Sequence, residues 1–351
     1  MNNTNVSRLL YADIIRTTAT LMVILLHSSA LYFYQGTASA QWHFANIVNS
    51  FTRPAVPLFL MLSGALLLSP QRNEAPLEFL KRQFRKILPS LFVWSVFYYC
   101  LQKIVSKTEV DILEFSIGFL RGDIYYHLPF MYYIIGLYLT YPLLRSFFRG
   151  ADDVNVVYFV VVWLVTLLVS NLSSYFHVPL SGNLLIMFGF IGYPIVGWAI
   201  SSRATRLSLS GALALFLSMW FATVYLTWHQ KTTGGYSEFF YEYLSLNVVF
   251  AAFGLFYFLR YVVWEKYLFG GIMRFISIVS INSFDVFLAH PFILYVLQAY
   301  IIPPKLLQNS FSGIPLLFTL TFFLSVIFAV VLGQLKKIKI KIKIKTIEAF
   351  R

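Results

Sequence analysis

Charged side chains are scarce in this sequence. Asp, Glu, Lys and Arg make up only 12% of its 351 residues, while 59% of the residues are hydrophobic. Soluble domains carry about 25% charged residues. Because so few charges cannot cover a surface that faces water, the composition excludes an ordinary soluble protein and indicates that lipid is the main solvent of the chain.

Cysteine and closely spaced histidines are also lacking. Cys100 is the only cysteine, which excludes an intramolecular disulfide. The six histidines include no close pair, whereas protein metal sites gather several such ligands. The sequence therefore predicts no metal site.

Long apolar runs are abundant instead. A run of about 20 apolar residues is long enough to span a bilayer as an α-helix. We expect one membrane-embedded domain over residues 1–351, ending in a basic tail at 336–351. The runs predict an all-α fold, a polytopic bundle of about ten transmembrane helices, at 11–34, 47–69, 87–104, 128–147, 154–170, 183–200, 207–228, 243–263, 276–302 and 313–334.

Lysine and arginine are distributed unevenly along this bundle. With both termini in the cytoplasm, 20 of the 27 basic residues lie on the cytoplasmic side, five lie opposite, and Arg16 and Arg53 fall within helices. This bias follows the positive-inside rule. It predicts a multi-pass protein of the cell membrane, inner or plasma, with both termini cytoplasmic. The tail, in which Lys alternates with Ile, is expected to contact anionic membrane lipid and not nucleic acid.

Ionisable residues inside membrane helices are costly and are functional candidates by default. Arg16 and His27 are eleven residues apart, so on a helix they share one face, about 16 Å apart along the axis. Asp13 lies on nearly the same stripe. Alternatively, Arg16 could be an anchor whose charge reaches the inner membrane surface. The other candidates within the predicted helices are Arg53, Asp285 and His290.

The second and ninth predicted helices bring further polar groups toward His27. The second helix runs back inward, which places Arg53 at about the depth of His27 and predicts an imidazole and a guanidinium in one cavity. His290 is expected at mid-membrane, and Pro291 behind it frees a backbone carbonyl. A lone intramembrane histidine can also simply bridge two helices. His127 is expected at the outer surface.

Five segments, in order, resemble the acyltransferase-3 family of membrane acyltransferases. The first carries a basic residue, ten intervening residues and a histidine, at Arg16 and His27. One departure is Pro129, at a position where an aromatic residue is common in the family. The five segments are Tyr11–His27, Phe51–Leu67, Phe79–Pro89 (a basic cytoplasmic loop before the third helix), His127–Leu144 and Ser283–Pro291.

The resemblance implies transfer of an acyl group, commonly acetyl, from cytoplasmic acyl-coenzyme A to a hydroxyl of a cell-surface or lipid-linked glycan. His27 then acts as general base or as covalent acyl carrier, and Arg53 stabilises the oxyanion. Acetyl-coenzyme A is a substrate, and no bound cofactor is expected. The candidate catalytic residues are thus His27, Arg16, which positions the donor, and Arg53. Candidate donor-binding residues are Asp13, Lys81, Arg82 and Arg85, and candidate cavity or acceptor residues are Ser63, His127, Tyr132 and His290.

A transporter or flippase for a glycan or organic anion is the competing hypothesis, since a polar-lined bundle can also move such a substrate. Transporters often show internal repeats and paired broken helices. The sequence contains no recognisable repeat, which favours the acyltransferase.

Overall fold

The computed structural model describes residues 9–34, 39–69, 74–178, 189–203, 207–233 and 238–349, with side chains to 335. Within these ranges the chain is helical and contains no β-strand. Short 3₁₀ turns occupy Phe239–Tyr241 and Trp264–Lys266, and a π-helical turn occupies Leu297–Ile301. The helices are α1 (Leu10–Tyr34), α2 (Ala40–Thr52), α3 (Ala55–Leu67), α4 (Pro76–Ser106), α5 (Ile112–Arg121), α6 (Pro129–Arg149), α7 (Asp153–Tyr175), α8 (Gly192–Ser202), α9 (Leu209–Thr232), α10 (Leu246–Tyr261), α11 (Gly270–Val296), α12 (Pro304–Leu307) and α13 (Ser310–Ala349).

The polytopic helical fold is confirmed. In the described part of the chain, 8 helical segments are long and apolar enough to cross a membrane. The predicted spans at 128–147 and 183–200 are not among them. The first falls on α6, whose four tyrosines and Arg145 lower its hydropathy. The second falls on α8, which has 11 residues, and on residues before 189 that lie outside the described ranges.

The predicted second span is interrupted, and one predicted loop is wrong. The span corresponds to the segment Ala40–Leu67, within which α2 ends at Thr52 and α3 begins at Ala55; Pro54, which has no backbone N–H, lies at this break. The basic segment Phe79–Pro89 is not a loop but forms the first turns of α4. At the other end of the chain α13 continues through the Lys–Ile alternation to Ala349, but the side chains of the predicted basic tail lie outside the described residues.

The chain forms two compact units, which are residues 1–59 with 206–351, and residues 60–205. In the first unit α1 packs against α2, α10, α11 and α13. Their apolar side chains interlock around Phe33, Trp42 and Tyr241 toward one end of α1 and around Ile24 and Val286 nearer its middle. The first unit therefore surrounds α1, the helix that carries Arg16 and His27, with four other helices.

In the second unit, two glycines bring α3 and α8 into backbone contact. A Cβ on Gly64 would lie 1.9 Å from the carbonyl oxygen of Pro194, and a Cβ on Gly197 would lie 2.0 Å from that of Met61. Small residues at such crossings let membrane helices approach closely and gain van der Waals contact. The two glycines therefore set the distance between these helices.

We predict that Gly64→Ala destabilises the protein. The new methyl group must push α8 away, and overpacking of this kind costs roughly 1–3 kcal/mol. Gly136→Ala in α6 is the matched control, because no atom lies within 4 Å of the added methyl group. Thermal unfolding of the purified proteins should show a lower Tm for Gly64→Ala alone; equal Tm values would contradict the close packing.

Candidate functional site

Arg16 is held at the start of α1 by a buried carboxylate and a serine. Its guanidinium lies 3.6 Å from Asp13 Oδ1 and donates to Ser280 Oγ at 3.3 Å. The Ser280 hydroxyl donates in turn to Asp13 at 2.7 Å. The Asp13 side chain is 5% exposed, whereas that of Arg16 is 34% exposed. Asp13 and Ser280 therefore orient a guanidinium that keeps an accessible surface.

A second arginine lies near this end of α1. The guanidinium of Arg260, at the end of α10, stacks over the ring of Tyr11 at 4.1 Å. Arg16 follows Tyr11 by five residues on the same helix. The first turns of α1 therefore carry one guanidinium and hold a second against Tyr11, and guanidinium groups bind anions well.

The two intramembrane histidines are stacked on each other. The ring centroids of His27 in α1 and His290 in α11 are 5.3 Å apart, with an interplanar angle of 30°. His290 is fully buried, and His27 is half-buried. Two imidazolium ions this close would repel each other strongly in a medium of low dielectric constant. At least one ring is therefore neutral and able to accept a proton.

Pro291 fixes the orientation of His290. Proline has no backbone N–H, so it leaves the carbonyl of Phe287, four residues earlier, without its helical donor. His290 Nδ1 occupies this position, 2.8 Å from the Phe287 oxygen. Because a carbonyl only accepts, Nδ1 carries the proton, and in the neutral ring Nε2 carries the lone pair. The sequence Phe287–Pro291 thus selects one tautomer of the histidine that stacks on His27.

Arg53 lies at the break between α2 and α3 and is 8% exposed. Its guanidinium stacks over the Tyr241 ring at 4.0 Å and donates to the Tyr241 carbonyl at 3.4 Å and to Asn49 Oδ1. The amide of Asn49 donates to Ser29 Oγ at 2.9 Å and to Leu26 O at 3.4 Å, which ties it to the α1 turn that contains His27. The charge of Arg53 acts electrostatically on His27.

This arrangement offers the parts needed for transfer to a hydroxyl. A neutral imidazole can accept the proton of a nucleophile, and a fixed guanidinium near it can stabilise a developing negative charge. Since Arg16 and His27 belong to one continuous helix, their spacing along α1 is set at about 16 Å. In the first unit, helix α1 thus connects the basic region at Arg16 to the stacked imidazoles of His27 and His290.

Three other predicted residues belong to the second unit and have partners there. Ser63 donates to Leu60 O at 2.8 Å and contacts the Tyr141 hydroxyl. The Tyr132 hydroxyl donates to Phe119 O, which fastens α6 to α5. His127 is 4% exposed, with its ring edge-on to Tyr98 at 4.9 Å. These contacts give each residue a packing role within the second unit.

The predicted donor-binding cations of α4 are exposed. Lys81, Arg82 and Arg85 lie within two turns of the helix. Arg82 pairs with Glu74 at 2.9 Å, and Glu74 also lies 3.7 Å from the buried Arg145. Arg82 is therefore partly committed to an ion pair, whereas Lys81 and Arg85 form no salt bridge with the described residues.

A family model matches nearly the whole chain. The acyltransferase-3 model, described as an acyltransferase domain, covers residues 9–332. The chain belongs to the acyltransferase-3 family. No curated protein and no solved structure matches the chain. Family membership identifies the protein as a membrane acyltransferase and places Arg16, His27, Arg53 and His290 all inside the matched segment.

The sequence gives no signal for several partners of the candidate site residues. Ser280, Tyr241 and Arg260 contact the predicted residues but lie far from them along the chain. Among these partners only Asn49 is close in sequence to the residue that it contacts: it is a polar residue in an apolar run, four residues before Arg53. No group of three His, Cys, Asp or Glu side chains suited to a metal ion occurs in the part of the chain that the structure describes.

We predict that Pro291→Ala stabilises α11 but impairs acyl transfer. An internal proline destabilises a helix by about 3 kcal/mol, so its removal should stabilise α11. The restored backbone N–H of residue 291 competes with His290 for the Phe287 carbonyl, so His290 loses its fixed orientation. Misplacement of about 1 Å at a reacting centre can lower turnover up to a hundredfold. Pro315→Ala in α13 is the control for proline removal. Unchanged turnover in Pro291→Ala would show that the orientation of His290 is irrelevant.

Proposed function

We propose that this protein is a membrane O-acyltransferase that moves an acetyl group from cytoplasmic acetyl-coenzyme A to a hydroxyl of a cell-surface or lipid-linked glycan. The single observation that carries the proposal is the stacking of His27 on His290. It places a base candidate in the interior of a chain that belongs to an acyltransferase family.

The proposed location is the cell membrane, with both termini in the cytoplasm. The excess of Lys and Arg on that side supports this orientation. The start of α1, with Arg16 and Arg260, then faces the compartment that contains acetyl-coenzyme A. The other end of α1 faces the opposite side, where cell-surface glycans are modified.

Arg16 and Arg260 are proposed to receive the donor. Coenzyme A carries phosphates, and guanidinium groups bind phosphates through paired hydrogen bonds. The ring of Tyr11, already under Arg260, offers a flat surface next to these cations. The pantetheine arm is long and flexible, so it can follow α1 from Arg16 toward His27 and bring the thioester to the imidazole pair.

The reaction is proposed to begin with a proton transfer to His27. The acceptor hydroxyl gives its proton to the imidazole while its oxygen attacks the thioester carbonyl carbon. Arg53 stabilises the negative charge that develops on the carbonyl oxygen. When the intermediate collapses, the carbon–sulfur bond breaks, and the coenzyme A thiolate leaves with the proton from His27. The products are the O-acetylated acceptor and free coenzyme A.

A covalent version of this step uses the same residues. A lone-pair nitrogen of His27 attacks the thioester first, coenzyme A leaves, and the acceptor hydroxyl then takes the acetyl group from the imidazole. Both routes depend on a neutral His27 beside Arg53. A transporter needs neither a thioester nor this base, and family membership favours the acyltransferase over it.

We predict that His27→Ala abolishes acetyl transfer while the protein still inserts, folds and purifies. Loss of a general base typically lowers turnover by 10²–10⁴-fold. The measurement is release of coenzyme A from acetyl-coenzyme A by the purified protein, with acetylation of a membrane glycan fraction followed by mass spectrometry.

His229→Ala is the matched control, because His229 is exposed in the last turn of α9. It should leave turnover and Tm unchanged. A purely structural histidine predicts the reverse for His27→Ala, namely a lower Tm with the surviving protein active. Near-native transfer by a well-folded His27→Ala protein would disprove the proposed mechanism.

We predict that Lys81→Ala together with Arg85→Ala raises the KM for acetyl-coenzyme A about tenfold, which corresponds to about 1.4 kcal/mol, and leaves Tm unchanged. These cations are exposed and unlike Arg82 form no ion pair within the described ranges. Lys266→Ala with Arg274→Ala removes two other exposed cations predicted to be cytoplasmic and serves as control. An unchanged KM in Lys81→Ala with Arg85→Ala would rule out a role for these two cations in donor binding.

A further inference from the structure

A cavity lies in the first unit beyond the His27 end of α1. Its volume is about 480 Å³. Tyr32 and Trp42 form buried parts of its wall, Gln298 is half-buried, and the remaining polar groups, which include Gln41 and Gln308, are exposed. We propose that this cavity binds the acceptor as a neutral sugar ring. This inference rests on the proposed function, which does not itself locate the acceptor.

The polar groups of the wall match hydroxyl groups. Each glutamine amide both donates and accepts hydrogen bonds, as does each sugar hydroxyl. Gln41, Gln298 and Gln308 line the cavity, and its described lining contains no charged side chain. One cation, Lys231, contacts the Trp42 ring at 5.9 Å but is not part of the wall. The chemistry therefore suits an uncharged, hydroxyl-rich ligand better than an anion.

Tyr32 contributes its ring, and not its hydroxyl, to the cavity wall. The residue is 6% exposed, and its hydroxyl is buried against α13, where a Cβ on Gly313 would lie 1.8 Å from the hydroxyl oxygen. Because this hydroxyl has almost no accessible surface, a ligand in the cavity meets only the ring of Tyr32. The hydrogen bonds to the ligand must therefore come from the glutamine amides of the wall.

The position of the cavity fits an acceptor that must reach His27. Leu31, which also lines it, follows His27 by one turn of α1, a rise of about 6 Å. Gln298 lies on the π-helical turn Leu297–Ile301 that continues α11 beyond His290. Such turns often occur at functional sites. The two helices that carry the histidines thus also carry parts of the cavity wall.

The test is binding of methyl glycosides to the purified full-length protein, in a detergent without a sugar headgroup. The probes are the methyl glycosides of glucose, galactose, mannose and N-acetylglucosamine, with methyl glucuronide as the charged comparison. Saturation-transfer NMR should detect at least one neutral glycoside and a weaker response from the glucuronide. No response from any neutral glycoside, or a stronger one from the glucuronide, overturns the proposal.

Two variants assign the signal to this cavity. Gln298→Leu and Gln308→Leu should each weaken glycoside binding at least fivefold, because each loses an amide of the cavity wall. Gln102→Leu, an exposed glutamine that lines a cavity of the second unit, is the matched control and should bind normally. Normal binding in both Gln298→Leu and Gln308→Leu overturns the proposal.

Cleavage of acetyl-coenzyme A, measured on the same preparations, separates this inference from the proposed function. Normal cleavage that depends on His27, combined with no glycoside binding, overturns the cavity assignment and leaves the acyltransferase intact. Glycoside binding that Gln298→Leu and Gln308→Leu weaken supports the cavity assignment even where cleavage fails. In that case the proposed acyl transfer is disproved and the cavity assignment stands.

Discussion

The cost of placing guanidinium and imidazole groups inside a lipid-facing bundle governs the rest of the structure. A charge at mid-bilayer costs a few kcal/mol even on the mildest scales, so each must be surrounded by protein dipoles and rings. Asn49 and Tyr241 do this for Arg53, and Asp13 and Ser280 do it for Arg16. These contacts connect α1, α2, α11 and the Tyr241 turn, so the groups proposed to perform the chemistry also hold these elements in place.

Helix α1 orders the proposed site along one axis. Arg16, oriented by Asp13, marks the end proposed for the donor, His27 marks the proposed reaction centre, and Tyr32 lines the proposed acceptor cavity. A helix rises about 1.5 Å per residue and deforms little. The spacing of the groups proposed to meet the two substrates is then set by the helix itself.

The parts of this site that sequence could predict are those that depend on local periodicity. The eleven-residue spacing of Arg16 and His27, and the carbonyl freed by Pro291, follow from helical geometry within one segment. Ser280, Tyr241 and Arg260 contact their partners across more than 180 residues of chain, and no local pattern encodes such a pairing. The same limit explains the cavity lined by Tyr32, because residues far apart in the chain build its wall.

The central claim is that transfer occurs at His27 within the first unit. Its most direct test is a cryo-electron microscopy structure with a ketone analogue of acetyl-coenzyme A, in which a methylene group replaces the thioester sulfur and prevents transfer. We expect the ketone carbon next to the His27 imidazole, within about 3–3.5 Å of the position from which an atom held by His27 would attack. The ketone oxygen should point toward Arg53, and the phosphates should lie near Arg16 and Arg260. An ordered analogue whose ketone lies out of reach of both His27 and Arg53 would contradict the account.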